Sequence, residues 1–133
     1  MNKQIISILK RTLNKEKYIE FAYIFGSFVK DKKHSDIDIG IFVSLPKEEE
    51  VFKITSDLKH KISRELNKKN IPLDADHIDI VVMNHINFKF LNNIFKQGVL
   101  ILDRNPGLRT NEIEKNSNKV RECLGILKEA EIL

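Results

Sequence analysis

Two apolar runs of strand character, "IEFAYIF" at 19–25 and "DIDIGIFV" at 36–43, stand ten residues apart, and the second carries two carboxylates. That juxtaposition constrains the fold more than any other feature of the chain. Both runs are rich in β-branched and aromatic residues, which suit a pleated and packed surface. The first ends at Gly26, a residue that adopts backbone angles other residues resist, so a sharp turn is expected there. Alternation in the second run places Asp36 and Asp38 on one face of a strand and Ile37 and Ile39 on the other. Carboxylates of like charge buried in strands are costly unless something positive lies between them. A metal ion, and the phosphate such an ion carries, are the natural candidates.

The remaining elements fall around this pair of strands. Ile5, Ile6, Leu9 and Leu13 recur at helical spacing, with Lys3, Lys10 and Arg11 elsewhere on the wheel, which predicts an amphipathic first helix. Pro46 opens a second long helix, Glu48, Glu49 and Glu50 suit its positive end, and Val51, Ile54, Leu58, Ile62 and Leu66 form its buried stripe. "HIDIVVM" at 77–83 reads as a third strand with Asp79 inside it. A shorter helix around 87–97 stops at Gly98 as a C-cap, and "VLILD" at 99–103 is a fourth strand. "NPG" at 105–107 precedes a last helix, about 108–130, in which Val120, Leu124, Leu127 and Ala130 share a face. The order αββαβαβα predicts an α/β (α+β) fold, a mixed sheet of about four strands flanked by helices, with a C-terminal helix. Residues 1–104 form the expected domain, and 105–133 a helical extension whose apolar stripe either makes an interface or packs back on the same domain.

Bulk properties narrow the classes. The chain has 133 residues, 41% hydrophobic and 32% charged, which fits one soluble domain, and no apolar run approaches a membrane span. The apolar residues of the first segment are spaced rather than continuous, so no signal peptide is expected and a cytoplasmic location is. With a single cysteine, Cys123, neither an internal disulfide nor a multi-cysteine zinc site can form. Residues 1–33 hold eight Lys or Arg against three acids, an asymmetry that could attract a polyanion but more often marks solvated surface. No recognition-helix pattern or stacking-aromatic motif points to sequence-specific nucleic-acid binding.

Three acids therefore sit in apolar strand contexts: Asp36, Asp38 and Asp79. Hard oxygen donors without clustered Cys or His favour magnesium over zinc. In two-metal phosphoryl chemistry one ion activates the attacking oxygen and the other holds the phosphates of the leaving group. Gly26 would let the backbone approach a polyphosphate, and Ser27 offers a hydroxyl and an amide to its oxygens. Asp79 is preferred to Asp76 because it lies among Ile78, Ile80 and Val81 rather than at a strand's start. His34 reads as a solvated loop residue, and His60, His77 and His85 lack a metal-ligand spacing and receive no role. Taken singly, a D-x-D or a Gly-Ser turn is most often structural; the ordered combination is what carries the functional reading.

Strand, "GS", a polar stretch, "DID" in the next strand and a third strand acid some forty residues later resemble the minimal nucleotidyltransferases of the DNA polymerase beta superfamily. The resemblance spans roughly residues 1–104. Within that superfamily the "GSFVK" and "SDIDIGI" wording is most similar to the MNT antitoxins paired with HEPN ribonuclease toxins. It implies that Gly26 and Ser27 hold a nucleoside triphosphate such as ATP, that Asp36 and Asp38 bind both Mg2+ ions, and that Asp79 completes the metal site. Lys30 falls where the family often has a basic residue and would touch phosphate. The sequence departs from the pattern in two places. Eight residues rather than about ten separate Ser27 from Asp36, and Asp31 stands where a glycine is common.

Two main functions follow as expectations. One is transfer of AMP, or another NMP, to a tyrosine hydroxyl of a HEPN-family toxin; the other is an antitoxin that occludes its toxin without catalysis. A third, a small-molecule nucleotidyltransferase, calls for a larger acceptor-binding domain than the chain can supply. Whether the protein forms a homo- or hetero-oligomer is open at this level.

Overall fold

β-Branched and aromatic runs pair into a four-stranded mixed sheet of order β3-β2-β1-β4. The structure, a computed structural model, describes residues 2–30, 36–44 and 48–132, and among these the side chains other than those of 48 and 126–132. Strands β1 (Ile19–Phe25) and β2 (Ile37–Val43) are antiparallel, β4 (Val99–Asp103) runs antiparallel on the other side of β1, and β3 (Ile78–Val82) runs parallel to β2. A parallel neighbour needs a long crossover, and the 21-residue helix α3 (Glu48–Lys68) supplies it. The other helices are α1 (Lys3–Asn14), the single turn α2 (Ser27–Lys30), α4 (Phe88–Gln97) and α5 (Pro106–Ile132).

The two faces of the sheet carry separate cores. On one, Ile24, Ile37, Ile39, Ile41 and Ile78 pack with Leu9 and Leu13 of α1 and with Leu58, Ile62 and Leu66 of α3. Each of those three α3 leucine and isoleucine side chains is fully buried, a contribution of about 1.5–3 kcal/mol apiece. On the other face Phe21, Tyr23 and Met83 meet Leu91 and Ile94 of α4, with Leu108 of α5 at the margin. Gly40 of β2 lets Met83 come close: a Cβ there would lie 3.0 Å from Met83 Sδ, while Ile94 Cδ1 of α4, at 3.6 Å, would be in ordinary contact. Asn84, just beyond β3, ties that strand to β2 by accepting from Val43 N at 3.0 Å and donating to Val43 O at 2.8 Å.

The fold class and the four strands are as expected, while several local details differ. Asp36 and His77 precede their strands rather than opening them. Ser27–Lys30 forms a helical turn where a loop was expected, closed by Val29 N donating to Gly26 O at 3.2 Å. In α1, Ile8 is buried where Ile6 was expected, and Ile6 packs at the edge of the core. Gly98 does cap α4, donating to Ile94 O at 2.8 Å, but in extended backbone. Its lack of a side chain matters for close approach, since a Cβ would fall 2.5 Å from Ile94 O. Pro106 starts α5 instead of separating it from the body, as proline suits a first helical position. Asn116 of α5 donates to Phe88 O at 3.1 Å, whereas Leu124 is 54% exposed. The expected roles of Asp31, His34 and Pro46, and of the Leu127 and Ala130 side chains, lie outside the described residues.

Candidate active site

The end of β1 and the beginnings of β2 and β3 converge at one end of the sheet. Phe25 is the cross-strand partner of Asp38, and Asp38 in turn is the partner of Asp79. Gly26, next in the chain, adopts φ +77°, a left-handed conformation that favours glycine. A Cβ at this position would overlap Asp38 Oδ2, so glycine is favoured by the backbone angle and lets the carboxylate lie against the turn. Turn and acid thus form one unit. Ser27 follows at the start of α2 and is exposed, as is Lys30 at its end.

The three acids share the face that carries Gly40 and Phe42, but they are not buried as the apolar strand context suggested. Asp38 is half-buried and Asp79 exposed. The physical reason is coverage: α4 packs over Gly40 through Ile94, and near the acids its Phe90 meets Phe25 edge-on at 5.6 Å without closing the site. Phe90 itself remains 39% exposed. Partial burial, followed by the charges of Asp79 and then Asp36, holds the Asp38 carboxyl above the usual carboxylate range. A carboxylate cluster whose charged form is disfavoured suits a cation. Asp76, the rival to Asp79, sits in the 3-10 turn Ala75–His77, outside the ladder.

Asp36 faces a partner that sequence reasoning set aside. His77 Nδ1 lies 3.1 Å from Asp36 Oδ1, with both side chains about half exposed. The signal was present in the sequence, since 77 has the same strand parity as 79, but it becomes informative only once β3 is known to pair with β2. Among the described residues, no group of three or more His, Cys, Asp or Glu side chains is gathered into a metal-binding cluster in this conformation. The donor chemistry still fits a hard divalent cation: three carboxylates on one face, one displaced upward in pKa by burial and then by its acidic neighbours, with a glycine clearing space beside it.

A mixed four-stranded sheet flanked by helices, with a Gly-Ser turn set against strand-borne acids, is the architecture of a nucleotidyltransferase. The chain belongs to the Polymerase beta, Nucleotidyltransferase family, whose model matches residues 7–107. No curated protein matches the sequence. Similar solved structures include a chain from the tri-AMPylated Shewanella oneidensis HEPN toxin in complex with MNT antitoxin, at 16% identity and TM-score 0.69, covering 99% of this chain and 96% of that one. A toxin–antitoxin with AMP-PNP is similar at 19% identity and TM-score 0.67, with the same coverage. The toxin–antitoxin MntA–HepT matches at 16% identity and TM-score 0.67, covering 98% and 96%. These likenesses concern the fold, over nearly the whole chain. Among the described residues, no helix is long and apolar enough to cross a membrane.

Proposed function

We propose that this chain is an antitoxin of the MNT type that transfers AMP, or another NMP, from a nucleoside triphosphate to a tyrosine hydroxyl of a cognate HEPN-family toxin in the cytoplasm. The observation that carries the reading is the rung Asp38–Asp79 with Gly26 pressed against Asp38, in a chain of nucleotidyltransferase family. Asp36, Asp38 and Asp79 would hold Mg2+, which when bound polarises the α-phosphate and favours ionisation of the attacking hydroxyl. Gly26 and Ser27 bring a bare backbone segment and a hydroxyl to the phosphates, and exposed Lys30 offers them a positive charge. The acceptor oxygen forms a bond to the α-phosphorus, the bond from that phosphorus to the bridging oxygen breaks, and pyrophosphate leaves with the electron pair. The hydroxyl proton passes to a carboxylate of the site or to solvent.

An acceptor carried on a partner fits a site that is not enclosed: Asp79 is exposed, and the acids lie open at one end of the sheet. The family match ends at 107, next to the start of α5, which supports a nucleotidyltransferase body over 1–104; the extension from 105 packs on α4 through Leu108 and Asn116, and we read its outer surface as an interface. Exposed Leu124 is the kind of side chain such a surface would use. Incubation of the purified chain with ATP, Mg2+ and the product of the neighbouring gene should raise that partner's mass by AMP units, and Asp36→Asn should leave it unchanged. If Asp36→Asn neutralises the partner as well as the parent does and no mass shift appears in either case, occlusion is the function instead.

A further inference from the structure

Asp36 stands immediately before β2, and His77 closes the 3-10 turn immediately before β3. The two strands run parallel with Ile37 opposite Ile78 and Asp38 opposite Asp79. Residues 36 and 77 therefore face each other one step outside the ladder, with the parity of the 38 and 79 pair. Three carboxylates and one imidazole thus share one face in two pairs, 36 with 77 and 38 with 79, separated by the Ile37–Ile78 rung. His77 Nδ1 lies 3.1 Å from Asp36 Oδ1, and since a carboxylate only accepts, the ring nitrogen is the donor. With 47% and 49% of the two side chains exposed, the contact adds little to stability as an ion pair. What it does determine is direction: one Asp36 oxygen is engaged and the rotation of the carboxylate is restricted.

We propose that His77 is a positioning residue for the acid site: its Nδ1–H holds one oxygen of Asp36 so that the other is presented to a divalent cation shared with Asp38 and Asp79. The inference rests on the reading of those three acids as cation ligands. Hydrogen bonds to ligating carboxylates fix the orientation in which a ligand is useful, and losing such a partner weakens metal affinity by about 10–100-fold. The role belongs to one ring nitrogen at one position, which makes it separable from bulk or charge. An asparagine amide nitrogen falls close to where a histidine Nδ1 lies, whereas the longer glutamine side chain places its amide nearer the Nε2 position.

The test is Mn2+ binding to the purified chain, read from the electron paramagnetic resonance signal of free Mn2+, for the parent, Asp38→Asn, His77→Ala, His77→Asn and His77→Gln. Half-exposed His77 can be replaced without disturbing the core, and melts in EDTA verify that each variant folds. The expected result is roughly tenfold weaker binding for His77→Ala and His77→Gln, and binding within about threefold of the parent for His77→Asn. Unchanged or tighter binding by His77→Ala, or a His77→Asn variant as weak as His77→Ala, overturns the positioning role. If the parent and Asp38→Asn bind Mn2+ equally, the acids are not the ligands, and both that reading and the role of His77 fail. That outcome is distinct from one in which Asp38→Asn loses binding while His77→Ala keeps it.

Discussion

Replacing Asp38 by asparagine should stabilise the metal-free protein at neutral pH. Asp38 and Asp79 are direct partners on adjacent strands, and neighbouring strands lie about 4.8 Å apart. Two unit charges at roughly 5 Å repel by about 0.8 kcal/mol in water and about 3 kcal/mol at an effective dielectric constant of 20. Because Asp38 is only half-buried and Asp79 is exposed, solvent screening favours the lower part of that range, about 1 kcal/mol. The direction with pH follows from the raised Asp38 pKa, caused first by burial and then by Asp79 and Asp36. A group raised on folding contributes its stability below the ordinary aspartate pKa near 3.9 and loses it as pH rises through the folded value. The parent should therefore lose about 1 kcal/mol relative to Asp38→Asn between about pH 4 and pH 7, a Tm difference of about 3–4 °C for a chain this size. Thermal melts in EDTA at the two pH values measure it. Added Mg2+ should raise the Tm of the parent and not that of the variant. An Asp38→Asn protein clearly less stable than the parent at pH 7 would refute the reasoning, because it would make the carboxylate structural; an equal gain at pH 4 would refute its electrostatic origin.

Two further outcomes are expected. Gly26→Ala should lose about 1–2 kcal/mol from its left-handed backbone alone, and its Cβ should push the Asp38 carboxylate aside, reducing Mn2+ affinity at least tenfold; a variant that folds and binds like the parent would show the turn to be more pliable than its geometry implies. The Tyr18 phenol is pushed up to about 12 by burial, then by Glu16 and Asp57, so its share of stability should be complete below pH 10 and fade as pH rises toward 12. Urea unfolding of the parent and Tyr18→Phe at pH 9 and pH 11 should show the smaller loss in the variant, and parallel losses would contradict the assignment.

Local chemistry made most of the architecture readable from the chain itself. The run 19–25 and the alternation at 36–43 could hardly form anything but strands, and the stripe from Val51 to Leu66 marked α3 because its period is that of a helix. Gly26 was legible as a special turn for the same reason: few other residues accept its backbone angle. The alternation also assigned Asp36 and Asp38 to one face without knowledge of any partner strand. Only the tertiary structure decided who stands opposite whom. Register between β2 and β3 is set across the α3 crossover by side chains distant in sequence, so the rung Asp38–Asp79 and the contact of His77 with Asp36 have no local signature. Exposure was decided in the same way. The acids looked buried in their apolar strands, yet burial depends on what packs above a strand, and α4 covers Gly40 but leaves Asp79 open to solvent. Periodicity says which way a side chain points; packing alone says whether water, helix or ligand meets it there.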